Sequence, residues 1–316
     1  MIGPVFRVLR PGLLSTLQDL GRTGYQWLGV SPCGAMDAFA LRLSNQLVGN
    51  TEDSVSLEMT LAGTELEVIQ NCEIALAGAD MGARLDSKPI GCWQNCFAKA
   101  GQRLVFSQRK HGARSYLSVA GGFAADRVLG SGSTDLQNGW GGLVGRSLRR
   151  GDELFAKKAG GSDRQSLWSV SPEAMADYRN PFLLRVLEGP QSQLFAAATR
   201  RQFSSAEFRI GASSNRMGYR LEGPLLSPPE REMISETTPM GAIQVLPNGE
   251  AVLLMADHQT VGGYPKIAIL ISADLPKAAQ LRPRHRIRFR TVSLSEAHQA
   301  LIQQEKRLRL ALLQRG

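Results

Sequence analysis

Long apolar runs are missing from this 316-residue chain. The longest, around Ala251 to Ala256 and Ile267 to Ile271, fall far short of the ~20 residues that a membrane-spanning helix needs. The opening stretch, Met1-Ile2-Gly3-Pro4-Val5-Phe6-Arg7, has no apolar segment behind a basic start, so it does not read as a signal peptide and the protein is expected in the cytoplasm. Cysteine is scarce: Cys33, Cys72, Cys92 and Cys96 are the whole set. Cys92 and Cys96 lack a second Cys/His pair at ligand spacing, so the thiols read as reduced and mostly buried, and no metal site is expected. A nucleotide loop is absent too. Near Gly145-Arg146-Ser147, Trp140 stands where a Walker A loop has its first glycine and Arg146 where it has lysine.

What remains has the balance of an ordinary folded protein, with 43% hydrophobic and 21% charged residues, which excludes disorder and fibrous classes. The formal charge of +9 raises the question of nucleic acid. Its densest segment, Arg282, Arg284, Arg286, Arg288 and Arg290 alternating with Pro283, His285, Ile287 and Phe289, has the period of a strand with one wet face. No aromatic residues share the arginine face for base stacking, so attraction of small anionic substrates is the better use of the charge.

The pattern is mainly β. Short strands are expected at Val5 to Leu9, Glu65 to Ile69, Glu73 to Ala77, Leu104 to Ser107, Tyr116 to Ala120, Leu183 to Leu187 and Glu207 to Ile210. A hairpin joins Ala242 to Leu246 with Ala251 to Met255 through Pro247-Asn248-Gly249, because Asn-Gly supplies the positive φ of a tight turn. One helix is expected from Asp37 as N-cap to Val48, with Gly49 at the left-handed position that ends it. Another follows Ser293 and Glu296, which have capping-box spacing, with Leu294, Ala297, Leu301, Leu308 and Leu312 as its stripe. The polar stretch from Ala159 to Asn180 reads as a connection, giving an N-terminal β-rich half (1–160), a C-terminal barrel half (181–292) and a closing helix (293–316).

Reactive side chains crowd into two segments. In Ser213-Ser214-Asn215-Arg216-Met217-Gly218-Tyr219-Arg220, Arg216 and Arg220 can hold a carboxylate or phosphate in a bidentate fork, and Gly218 permits close backbone approach. In the run from Met255 to Lys266, Asp257, Gln259 and Thr260 leave a strand end, Gly262 and Gly263 form a turn, and Tyr264 and Lys266 follow. Asp257 can act as a general base or orient one, Gln259 can donate to a carbonyl oxygen, and Lys266 can offset developing negative charge. His258 follows Asp257 directly and so points to the opposite strand face; it receives no role. Cys33 has no identifiable His and acid partner and reads as structural. The small-residue run Gly130-Ser131-Gly132-Ser133-Thr134-Asp135 is either a tight barrel loop or a set of backbone N–H groups offered to an anion.

At these residues the chain resembles the KipA-like family, also called allophanate hydrolase subunit 2 or biotin-dependent carboxyltransferase-like proteins. Ser214 to Arg220 and Gln259 to Ala268 carry the resemblance. It extends through Thr16 to Arg22, Gly34-Ala35-Met36-Asp37, Ser115 to Gly122 and Gly130 to Leu136, covering Phe6 to about Phe289. Val261 departs from the family, which usually has a second threonine there. The resemblance implies a cyclophilin-like β-barrel architecture and, within the family, the member type that serves as the C-type subunit of bacterial ATP-dependent 5-oxoprolinase. That enzyme opens 5-oxo-L-proline to L-glutamate with two further components, one KipI-like and one LamB/YcsF-like, using ATP with Mg at the level of the complex. It further implies that Arg216 or Arg220 holds the substrate carboxylate and that Gln259, Tyr264 and Lys266 surround the lactam oxygen, with Asp257 as proton acceptor. Asn215, Tyr219, Thr260, Gly262 and Gly263 line the same surface, and Gln18, Asp19, Arg22, Ser133, Thr134 and Asp135 are possible contributors from the first half. Two other functions stay open: a carboxyltransferase for a urea-like substrate, whose biotin must come from elsewhere because this chain has no Met-Lys-Met attachment signature, and an antagonist of a KipI-like kinase inhibitor.

Overall fold

The computed structural model describes residues 2–61, 63–157, 167–175, 178, 182–230 and 233–315. The chain divides into two compact units. The first gathers Met1–Arg22, Cys33–Tyr178 and Arg307–Gly316; the second gathers Thr23–Pro32 and Arg179–Lys306. Most of the connection expected at 159–180 lies outside the described residues, but within it Leu167–Val170 forms a strand.

The first unit is built on two sheets. One runs in the order Glu153–Lys157, Ile2–Pro11, Thr64–Val68, Arg103–Phe106, Ala83–Leu85, Lys88–Pro89. The other runs Leu14–Gln18, Ser56–Thr60, Arg114–Val119, Cys72–Gly78, Gln94–Ala98, Leu167–Val170, Leu312–Arg315. Phe6, Val8, Leu66 and Leu104 from the first sheet share a core with Leu57, Ile74 and Leu117 from the second. The opposite face of the second sheet is covered as well, by the helix Ala38–Leu47, whose Phe39, Leu43 and Leu47 pack with Ala75, Ala77 and Tyr116. Burial on both faces explains why Arg114–Val119 shows no exposed position.

The helix entry is held by a buried network. Asp37 caps it as expected, its Oδ1 accepting from the N–H of Ala40 at 2.9 Å, while its Oδ2 accepts from the Tyr178 hydroxyl at 2.6 Å. The Tyr116 hydroxyl donates to Glu58 Oε2 at 2.6 Å and accepts from the Asp37 N–H. Burial and these acidic neighbours push both tyrosines well above their ordinary pKa. Gly34, at φ +85°, lies so near that a Cβ would sit 2.8 Å from the Gly21 nitrogen. The helix ends at Gly49 with φ +70°, again as its sequence predicts. None of the four cysteines is in a disulfide among the described residues, and burial raises the Cys72 thiol to about 12, which suits inert packing.

The second unit is a closed barrel, in the order Phe182–Glu188, Lys266–Leu270, Ala242–Val245, Ala251–Leu254, Gly218–Glu222, Glu207–Ile210, Arg286–Thr291. A parallel pairing of Arg286–Thr291 with Phe182–Glu188 closes it. Leu184, Phe208, Tyr219, Ile243, Leu253, Ile287 and Phe289 are buried, and Phe203 stacks on Phe289 with ring centroids 4.8 Å apart. The arginine-rich strand behaves as its alternation implies: Ile287 and Phe289 point in while Arg286 and Arg288 lie outside with Glu207. It starts only at Arg286, because the backbone at Arg284 turns through φ +71° after Pro283. The Asn-Gly hairpin forms as expected, Leu246 N–H donating to Glu250 O with Gly249 at φ +86°.

The closing helix, Leu294–Arg309, has the expected capping box, in which Ser293 N–H donates to Glu296 Oε2 and Glu296 N–H to Ser293 Oγ. Leu312 does not belong to its stripe. The chain leaves the helix, Ala311 is buried, and Leu312–Arg315 pairs antiparallel with Leu167–Val170. Backbone pairing with a waiting sheet edge overrides the apolar spacing there.

Candidate active site

Lys266 begins a barrel strand yet is only 2% exposed. Its cross-strand partner is Gln244, also buried, so the two side chains stand on one face of neighbouring strands. The ammonium donates to Glu236 Oε1 at 2.6 Å, and Glu236 is 43% exposed. Gln191 braces the pair: its Nε2 donates to the same Glu236 oxygen, and its Oε1 accepts from the Lys266 backbone N–H at 3.1 Å. The hydrogen bond from Lys266 holds the Glu236 carboxyl below the usual carboxylate range. Gly189 allows this packing, since a Cβ there would run into the Lys266 carbonyl oxygen.

Glu236 comes from a ribbon outside the barrel, in which Glu236–Thr237 pairs antiparallel with Val261–Gly262. Thr238 fastens it, its N–H donating to Thr260 O at 3.0 Å and its hydroxyl to Gln259 O. The Gln26 side-chain amide donates to the carbonyls of Thr238 and Thr260. Gln259 Nε2 donates to Gln244 Oε1 at 3.1 Å, and the buried Gln244 Nε2 has no hydrogen-bond partner among the described residues. Gly262 lies beside it; a Cβ there would be 2.9 Å from that nitrogen. Under the ribbon, a buried amide donor thus stays without a hydrogen-bond partner among the described residues.

Arg216 and Asp257 meet in a different manner from that expected. Asp257 accepts from Arg216 through both oxygens, at 2.8 Å each, and the two are 4% and 5% exposed. The fork expected to grip a substrate carboxylate is therefore taken by the protein's own aspartate. Of the two roles open to Asp257, orienting fits and accepting a proton does not, since both oxygens already accept from a cation. Arg220 does not share a face with Arg216, because the strand begins only at Gly218; it is exposed and pairs with Glu250 at 2.8 Å. Asn215 closes a turn by accepting from Met217 N–H, and Tyr219 is a buried barrel residue. Val261 is exposed on the ribbon, Gly263 follows it, and Tyr264 is exposed just beyond it. His258 is buried with Nδ1 2.7 Å from Gln259 O, and burial lowers its pKa.

In the first unit, the small-residue loop does present its N–H groups to an anion, and the anion is Asp19. That carboxylate accepts from Gly132 N–H and Ser131 Oγ at 2.6 Å, Ser133 Oγ at 2.5 Å and Gly21 N–H at 2.8 Å. Arg22, buried, donates to Ser133 O, and Gln18 donates to Thr134 O. Thr134 Oγ1 returns to Leu17 O, and Asp135 caps the turn through Asn138. Gln18, Asp19, Arg22, Ser133, Thr134 and Asp135 thus form one knot that fixes the loop to the end of Leu14–Gln18.

The sequence-predicted residues Gln259, Thr260, Gly262 and Lys266 do converge. Glu236, Gln191, Gln244, Thr238 and Gln26 complete their surroundings and carried no local signal. The combination of a buried lysine with side-chain amides suits recognition of an anionic amide, and residues 28–291 match the carboxyltransferase domain, subdomain A and B. The chain belongs to this carboxyltransferase-domain family. It is 40% identical over 303 residues to the C-type subunit of 5-oxoprolinase from Escherichia coli, covering 96% of each chain. To the protein of the same name in Haemophilus influenzae it is 39% identical over 284 residues, 90% of each. Its fold matches the crystal structure of Kluyveromyces lactis urea carboxylase with a TM-score of 0.88 at 30% identity, over 96% of this chain and 29% of that one. This member of the family thus spans less than a third of the urea carboxylase chain.

Proposed function

We propose that this family member is the C-type subunit of an ATP-dependent 5-oxoprolinase, opening 5-oxo-L-proline to L-glutamate together with KipI-like and LamB/YcsF-like partner subunits. The substrate is a lactam bearing a carboxylate, so its site needs a buried cation beside groups that pair with an amide. The observation that carries the reading is Lys266, buried beside Gln191 and Gln244, the latter hydrogen-bonded to Gln259.

Anion recognition passes in this reading from Arg216, whose fork is buried against Asp257, and from Arg220, which is itself exposed, to Lys266, a buried cation whose partner Glu236 is half in water. Gln244 and Gln259 face the lactam, and the Arg216–Asp257 pair positions the segment that carries Gln259. Tyr264, exposed just beyond the ribbon, lies where it can border a bound ring or a partner protein. The loop at Gly130 to Asp135 does not fit a phosphate, since its donors already serve Asp19. ATP with Mg is therefore assigned to the assembled complex, and no step is routed through this chain's loop.

The test is to mix the chain with its KipI-like and LamB/YcsF-like partners and measure glutamate released from 5-oxo-L-proline with and without ATP. Release that needs all three proteins and ATP supports the assignment. A second reading, carboxyl transfer to a urea-like amide, is favoured by the family's description and the likeness to urea carboxylase. It predicts activity only with a biotinylated carrier, and no glutamate release.

A further inference from the structure

The anion position beside Lys266 is filled by the chain itself. Glu236 Oε1 collects the Lys266 ammonium and the Gln191 amide on one oxygen, as a bound carboxylate would. The two partners differ sharply in burial: Lys266 is fixed in a barrel strand at 2% exposure, whereas Glu236 reaches in from the two-stranded ribbon at 43%. Beside them, the buried Gln244 Nε2 lacks a partner among the described residues, and Gly262 packs against it where a Cβ would come within 2.9 Å.

A buried ammonium needs a counter-charge at all times, because leaving it unpaired in a poorly solvated place is costly. Glu236 meets that need when no ligand is bound. Being nearly half in water, it can also leave without taking a dry charge with it. A donor left unsatisfied nearby marks where a carbonyl oxygen fits.

Resting on the reading above, we propose that Glu236 is a displaceable stand-in for the ligand's carboxylate. A small monocarboxylate with a lactam or amide carbonyl replaces Glu236 on Lys266 and Gln191, and its carbonyl oxygen accepts from Gln244 Nε2. The substrate thus competes with an internal carboxylate, which sets a threshold on affinity and rejects neutral amides that cannot satisfy Lys266.

Calorimetric titration of the full chain, alone and in the reconstituted complex, tests this with 5-oxo-L-proline, its uncharged carboxamide and acetate. Glu236→Gln is expected to bind 5-oxo-L-proline about tenfold tighter than the wild type, with the carboxamide unchanged, and adding Lys266→Met should abolish the gain. Because Glu236→Gln leaves Lys266 unpaired and can weaken the fold, Glu236→Asp is titrated alongside and should give a smaller gain in the same direction. The carboxylate should also raise the melting temperature of Glu236→Gln more than that of the wild type. Equal or weaker binding of every carboxylate by both Glu236 variants overturns the proposal. If neither lactam binds but acetate binds the variants more tightly, displacement stands and the 5-oxoproline reading falls.

Discussion

Arg216 and Asp257, forty-one positions apart, are joined three times over: two hydrogen bonds of 2.8 Å between guanidinium and carboxylate, and a third from the Asp257 N–H to the Arg216 carbonyl. Both are buried, so removing one partner strands the other. Asp257→Asn or Arg216→Met should each lose roughly 3–5 kcal/mol of stability, while the double variant Arg216→Met/Asp257→Leu should lose less than the sum. Urea unfolding of the three proteins measures this. Arg216→Lys should not restore the wild type, because an ammonium cannot make the two-point fork.

Lys266→Met should leave the circular dichroism spectrum unchanged and lower the reconstituted complex's kcat/KM by about 10²- to 10³-fold, the usual effect of deleting a buried stabiliser of negative charge. Gln244→Leu, which removes at nearly equal volume the donor without a partner among the described residues, should raise KM more than it lowers kcat. Steady-state kinetics on both variants separates binding from turnover.

Acid should weaken the second unit in two stages. His258 has its pKa lowered by burial, so its stabilising contribution is complete above the unfolded value of about 6.5 and declines as pH falls through the folded one. Glu236 is lowered chiefly by Lys266, so its contribution is complete above about 4.3 and is lost as pH falls further. The urea midpoint plotted against pH should show both. His258→Asn should remove the upper stage and Glu236→Gln should reduce the lower, leaving the share of Glu296, whose carboxyl is lowered by its hydrogen bonds with Ser293.

Asp19→Ala should destabilise the first unit by roughly 3 kcal/mol or more, since it strands the Gly132 N–H and two serine hydroxyls in the interior. Hydrogen exchange should then speed up first at residues 130–135. A phosphate or sulfate ion that slowed this exchange would show that the loop can accept an external anion once its own is removed.

Features set by near neighbours in the chain were legible in the sequence. Asp37 caps its helix, Asn248-Gly249 turns its hairpin, Ser293 and Glu296 form their box, and the arginines of the last barrel strand alternate with Ile287 and Phe289. Gln259, Thr260, Gly262 and Lys266 were found because they lie within one short segment. Glu236 and Gln191 were not, because their meeting with Lys266 depends on pairing across 30 and 75 positions. Arg216 was misplaced for a related reason: its residue type fits a substrate carboxylate, and only the fold shows that an aspartate arrives first. Leu312 kept helical spacing, but a sheet edge claimed its backbone.

Neither unit is one continuous length of chain. Residues 23–32 leave the first unit to join the second, and 307–316 return from the second to add an outer strand to the first. On the ribosome, the seven-stranded sheet must therefore wait for its last strand until the whole barrel has been made. A cut at the 159–180 connection would split both units at once, so neither side of it holds all the pieces of a unit.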